Sequence, residues 1–265
     1  MNTDNIIQFK NVSMQFQVSD GVVDILKDVS FSVQRNSFTV IFGPSGSGKS
    51  TILNILLGLL EPTKGSVTVA GKNLYDMSQN ELAQFRGQNY GLVSQTITWV
   101  TSLSVLENIA LPLYLKGMST GKAHVQARES LEKVGMTQYV DYFPTVLSIG
   151  QQQRIAMARA TVETPMLLVA DEPTGNLDSR NGDMIMKHIT SFKNHDAATI
   201  ILVTHNPEYL SLSDNRLFIK DGALSVNDGG YQLHDNHEEL SASVPLNKVA
   251  IKKPVSEPVP KAVKK

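Results

Sequence analysis

The sequence predicts an α/β fold: a mainly parallel sheet covered by helices, with an antiparallel β region at the N-terminus and a helical block inserted between two core strands. Three observations predict it. Short apolar runs alternate with longer amphipathic stretches, as expected for strands buried on both faces and connected by helices. The first ~35 residues hold two β-rich runs around a turn. From Ser104 to Ala160 the pattern is mostly helical.

The N-terminal runs are IIQFKNVSMQF and VVDILKDVSFSV, and Ser19-Asp20-Gly21 supplies the turn between them. The core strands read as Phe38 to Phe42 (FTVIF), Tyr90 to Ser94, Met166 to Ala170 (MLLVA), Thr199 to Thr204 (TIILVT) and Arg216 to Lys220. The helical block comprises SVLENIALPLYL, a helix over Lys122 to Val134 and a helix following Ser148. One domain over 1–226, with a helical subdomain over about 96–160, accounts for the patterned part. From 227 to 265 periodicity stops, and a Pro- and Lys-rich tail without regular structure is expected. Two readings of its lysines stand: a solubilising tail, or one that leans on an anionic membrane surface.

Composition excludes several classes. With no cysteine, neither disulfides nor thiolate metal sites exist. A net charge of −1 provides no global field toward nucleic acid, and no nucleic-acid partner is expected. The start, MNTDNIIQFK, lacks the pattern of a secretory signal, and no apolar run approaches the ~20 residues that span a bilayer. A chain at the cytoplasmic face of the membrane, peripheral and held there by other subunits, is the expectation.

GPSGSGKST, covering Gly43, Pro44, Ser45, Gly46, Ser47, Gly48, Lys49, Ser50 and Thr51, follows a strand and opens an apolar helix. This is G-x-x-x-x-G-K-[ST] in the strand–loop–helix setting that phosphate binding requires. Glycines let successive N–H groups turn inward, and the helix N-terminus adds its positive end. Lys49 is placed to reach the β- and γ-phosphates, and the Ser50 hydroxyl to ligate Mg²⁺. MLLVADEP ends a second strand in two carboxylates: Asp171 for the metal, and Glu172 as general base on the attacking water. TIILVTHN places His205 at the end of a third strand, within reach of a γ-phosphate or the attacking water. Gln95 ends a fourth and offers an amide to Mg²⁺. No [NT]-K-x-D segment reads guanine. Adenine needs only a stacking face, which Phe16 offers.

In order, Phe16, GPSGSGKST, Gln95, LSIGQ (Leu147 to Gln151), LLVADEP, NLDS (Asn176 to Ser179) and His205 resemble the ATP-binding-cassette (ABC) ATPases over about residues 5 to 225. ADEPTGNLDS and SLSVLENIALPLYLKG are similar to the subgroup of lipoprotein-release, macrolide-export, peptide-antibiotic-resistance and FtsE-like ATPases. The resemblance implies a P-loop NTPase with a RecA-like core, an antiparallel β-subdomain and a helical subdomain. It implies a homodimer or paired cassette around two MgATP, driving separate transmembrane permease subunits. It also implies that Ser148, Gly150 and Gln151 approach the partner's nucleotide and that Asp178 crosses the interface. Two functions follow: a transport ATPase of the export or mechanotransmission type, or a regulatory, FtsE-like ATPase acting on a membrane partner and a cell-wall enzyme.

The sequence departs from the family's L-S-G-G-Q at Ile149. If Ser148 caps a helix, Ile149 is its first residue, with ordinary helical angles and no left-handed penalty. Its side chain is expected to point away from phosphate; the rival reading is that its bulk holds the dimer open. Trp99 lies in the segment that faces the membrane subunit in the family, and is either a docking residue or part of the helical core.

Overall fold

The computed structural model describes residues 5–19, 21–196 and 198–225. Asp20 of the expected turn and the tail over 227–265 lie outside them. The chain opens with β1 (Asn5–Val18) and β2 (Gly21–Gln34), antiparallel to one another with Val18 opposite Gly21. β3 (Phe38–Phe42) has all five residues buried, and Gly43 to Gly48 connect it to α1 (Lys49–Leu56). β4 (Lys64–Val69) and β5 (Lys72–Asn73) come next, and α2 (Gln79–Asn89) leads into β6 (Tyr90–Ser94).

The helical block follows as α3 (Val105–Leu115), α4 (Thr120–Lys133) and α5 (Ile149–Thr161). Two of these helices start at serines that form reciprocal caps. Ser104 Oγ accepts from Glu107 N while Ser104 N donates to Glu107 Oε2 at 2.8 Å. Ser148 and Gln151 repeat the device on α5. The chain then returns to the core through β7 (Leu167–Asp171), α6 (Ser179–Asp196), β8 (Thr199–Thr204), β9 (Asn215–Lys220) and β10 (Ala223–Ser225).

Two sheets result, with strand orders β2-β1-β4-β5 and β10-β9-β3-β8-β7-β6. The first is antiparallel. In the second, β3 runs parallel to β8 and β9, and β7 parallel to β6 and β8. Its central strands are apolar on both faces, because both are covered. Phe38, Val40, Leu168, Ala170, Ile200 and Leu202 pack toward α3 to α6. Their neighbours Ile41, Val169, Ile201 and Val203 pack toward the antiparallel sheet, α1 and α2.

Relative to the sequence reading, β7 is displaced by one residue, ending at Asp171 rather than Ala170, because Asp171 pairs with both Ser94 and Val203. β9 begins one residue early, at Asn215, opposite Thr39. The sequence reading names none of β4, β5, α2, α6 and β10. α2 buries only Leu82 and Phe85 and carries Gly87, which leaves little helical periodicity to read.

Candidate functional site

The register of the parallel sheet aligns four strand ends. Phe42 pairs with Thr204, Val203 with Asp171, and Asp171 with Ser94. The residues that leave these strands, Gly43, His205, Glu172 and Gln95, therefore emerge side by side at one edge, where an open α/β sheet presents ligand groups.

The loop after β3 is shaped by close approach and by left-handed backbone. A Cβ on Gly43 would stand 2.1 Å from Ile219 O, so no side chain fits there. Gly46 and Gly48 have φ of 77° and 106°, which a side chain would strain. Lys49 is buried and curls back, its Nζ donating to Gly43 O at 2.8 Å and Pro44 O at 2.9 Å. Burial lowers its pKa, and the carboxylates of Glu172 and Asp171 oppose that shift. The three groups thus share one electrostatic neighbourhood. Ser47 Oγ is buried without a hydrogen-bond partner among the described residues. Ser50 is exposed and Thr51 half-buried.

Glu172 stands one residue past β7 with φ 45°, a left-handed conformation that costs a non-glycine residue on the order of 1–3 kcal/mol. Its N–H donates to Val203 O at 2.9 Å, which holds that geometry. Its Oε1 accepts from His205 Nδ1 at 2.8 Å, and its Oε2 from Thr204 Oγ1 at 3.4 Å. A carboxylate only accepts, so the shared hydrogen lies on Nδ1 and Nε2 remains for a further partner. The side chain of Glu172 is 15% exposed, that of His205 67%. Burial raises the pKa of Asp171, nearby Glu172 adds to the rise, and Lys49 opposes it. Gln95 is exposed, and its Nε2 lies 2.9 Å from where a Gly175 Cβ would stand.

Phe16 is 40% exposed on β1, opposite Val23. Two residues earlier, Met14 pairs with Leu26, and a Cβ on Gly48 would lie 2.8 Å from Leu26 Cδ2. The hairpin thus brings its aromatic to the flank of the phosphate loop.

The remaining candidates cluster apart from these. Ser148 Oγ accepts from Gln151 N at 3.4 Å, and Gln151 Nε2 donates to Tyr139 Oη at 2.7 Å. Ile149 is the first residue of α5 and is 58% exposed. Gly150 is buried beside Asn181, whose amide donates to Asp178. Among the described residues, no hydrogen bond joins Ser148, Gly150, Gln151 or Asp178 to the loop from Gly43 to Thr51. Trp99 is half-buried: its Nε1 donates to Gln152 Oε1 at 2.8 Å and Arg159 lies 4.5 Å over its ring.

Sequence reasoning missed Thr204, Asn181 and Gln153. Thr204 accepts from Asn206 N at 3.0 Å, which turns its own hydrogen toward Glu172. Gln153 Nε2 reaches Ser94 O at 3.3 Å and ties α5 to the strand that carries Gln95. Only Asn181 left a trace in the sequence, three residues after Asp178, the spacing of a helix cap.

Known proteins match this arrangement. The family described as "ABC transporter" matches residues 26–175. An uncharacterized ABC transporter ATP-binding protein of Mycobacterium tuberculosis is 39% identical over 222 residues, spanning 84% of this chain and 90% of that protein. The lipoprotein-releasing system ATP-binding protein LolD of a Shewanella species is 36% identical over 219 residues, spanning 83% and 95%. A solved dimeric bacterial ABC transporter cassette superposes with a TM-score of 0.78 at 35% identity, over 83% of this chain and 96% of that one. A second, of 34% identity and TM-score 0.78, is a dimeric post-hydrolysis state bound to ADP and Pi. These relatives favour the transport reading over the regulatory one. The chain belongs to the ABC transporter family, as an ATP-binding, ATP-hydrolysing cassette of the subgroup that includes LolD.

Proposed function

We propose that two copies of this chain pair head to tail around two ATP molecules, and that closing and reopening of the pair drives a separate membrane permease. The observation that carries this reading is the division of the site. Lys49, Asp171, Glu172, His205 and Gln95 share one sheet edge, whereas Ser148, Gly150 and Gln151 cap a different helix and bond to none of them. A second chain supplies what one lacks. Its support is the dimeric form of the similar cassettes. In this reading residues 1–226 form the cassette, about 96–160 its helical subdomain, and the chain sits at the cytoplasmic face through the permease.

The residues divide the work. N–H groups of Gly43 to Thr51 and the N-terminus of α1 bind the phosphates, with Lys49 exchanging its loop carbonyls for phosphate oxygens. Phe16 stacks on adenine. Glu172 takes the proton of the attacking water, held in place by His205 and Thr204. The partner's Ser148, Gly150 and Gln151 add donors to the γ-phosphate, and its Asp178 meets the loop. Magnesium, when bound, supplies positive charge on the phosphate oxygens. Ser50, Asp171 and Gln95 fit it by their donors: a hydroxyl, one carboxylate and an amide oxygen, where Mg²⁺ is held by one or two carboxylates together with phosphates and other oxygens.

A groove of about 890 Å³ lies between edge strand β6, the end of α3 and the end of α5. Leu92 and Leu115 stand exposed in it at 43% and 82%. It receives a cytoplasmic helix of the permease in this reading, one strand end away from Gln95. A similar cassette of 27% identity is described as part of a transporter complex. Glu172→Gln tests the pairing: with MgATP it is expected to retain nucleotide and to sediment as a dimer, and a monomer under those conditions would contradict it.

A further inference from the structure

We propose that Asn181 is a positioning residue that locks the start of α5 to Asp178, so that the two segments offered to a partner cassette move as one surface. The inference rests on the head-to-tail reading and extends it to a residue that touches no nucleotide.

The geometry is specific. Asn181 N donates to Asp178 Oδ1 and Asn181 Nδ2 to Asp178 Oδ2, both at 2.8 Å. Both carboxylate oxygens are thus held by one residue. The backbone N–H is the larger influence and the side-chain amide the second in keeping the Asp178 carboxyl below its ordinary range, so it stays ionised. On its other side the Asn181 amide covers Gly150. A Cβ there would stand 2.9 Å from Asn181 Cγ, 3.0 Å from Nδ2 and 3.1 Å from Oδ1. Gly150 is the second residue of α5, two positions after the Ser148 cap, and is buried although Ile149 beside it is exposed. No left-handed angle requires glycine at 150, since its φ is not positive. Space requires it: the position is small because Asn181 fills it.

The Asp178 carboxylate is held by two hydrogen bonds, one from the Asn181 backbone and one from its side-chain amide, and the amide cannot swing away from Gly150 or Asp178 without breaking the second. Displacement of the start of α5 is therefore passed to Asp178, and the reverse. The next residue, Gly182, faces Thr174 and Tyr209, each 3.6 Å from where a Cβ on it would stand. The link thereby also runs beside the segment that follows Glu172.

The test is a double-mutant cycle in the Glu172→Gln background with MgATP, reading the dimer dissociation constant by sedimentation and monomer affinity with a fluorescent ATP analogue. Asn181→Ala is expected to weaken the dimer about fivefold or more while leaving monomer affinity unchanged. Gly150→Ala is expected to weaken it as well, by driving the amide off Asp178. The double variant is expected to be no weaker than Asn181→Ala alone, because the cavity accepts the new methyl. Asn181→Thr, whose hydroxyl can still donate to Asp178, is expected to recover most of the loss. An unchanged dimer constant in Asn181→Ala, or effects of the two substitutions that simply multiply, overturns the inference. Absence of a dimer in Glu172→Gln with Asn181 intact would instead overturn the head-to-tail reading, and this inference with it.

Discussion

Glu172 and His205, one residue beyond the ends of neighbouring strands, meet at 2.8 Å, and the glutamate holds that contact from a left-handed backbone. The pair follows from register: with Asp171 opposite Val203, Glu172 emerges from β7 level with Thr204 and one residue short of His205, within reach of both. A carboxylate held by an imidazole and a hydroxyl is oriented to accept a proton from water.

Replacement of Glu172 by Gln keeps the shape and a hydrogen-bond acceptor for His205 but removes the proton acceptor. Phosphate release is expected to fall about a hundredfold or more, with ATP affinity retained. Full turnover in the variant would remove Glu172 from that role.

Ile149 occupies the first helical position of α5 with most of its side chain in solvent, so its N–H stays available to an anion. Ile149→Gly is therefore expected to change steady-state ATPase, measured with the permease present, by less than about tenfold, since one N-terminal donor is kept in both. A larger gain would mean that the isoleucine holds the dimer open.

Leu92→Glu places a charge on the edge strand, in the groove beside Gln95. It is expected to release the cassette from its permease in co-purification while leaving nucleotide affinity intact, because burying an unpaired carboxylate is costly. Retention of the complex would relocate the docking surface.

Acid stability follows from two carboxylates. At Asp214 burial pushes the pKa up, but Lys193, at 2.6 Å, and the Phe38 N–H, at 2.7 Å, more than offset it and leave it below 3.8. At Glu107 the N–H and hydroxyl of Ser104 hold the carboxyl below 4.5. Folded values depressed below the unfolded ones mean that the stabilisation is complete above the unfolded pKa and is lost as pH falls through the folded one. The melting temperature is expected to drop on going from about pH 5 to pH 3, and Asp214→Asn to lose part of that slope. An identical slope in the variant would show that Asp214 does not contribute.

Much of this was legible in the sequence. β3 and β8 could be read to the residue because strands buried on both faces are near-continuous apolar runs bounded by polar residues. Ser148 was legible as a cap because Gln151 follows at the capping-box spacing. What was not legible depends on contact between distant segments. Nothing adjacent to Thr204 or Asn181 in sequence reveals Glu172 or Gly150 as a neighbour. The sequence allows Trp99 either docking or packing, and its contacts with Gln152 and Arg159 arise only when α5 lies beside the segment after Gln95.

The central claim is that each nucleotide lies between Lys49 of one chain and Ser148 of another. The most direct test mixes two inactive variants, Lys49→Ala and Ser148→Arg, and measures ATP hydrolysis. A mixed pair holds one intact site, built from the loop of the Ser148 variant and the capped helix of the Lys49 variant. Activity is predicted to return on mixing, to up to about a quarter of the unmutated level for random pairing of independent sites. No recovery, with both variants folded and pairing, would contradict the claim and place each complete site within a single chain.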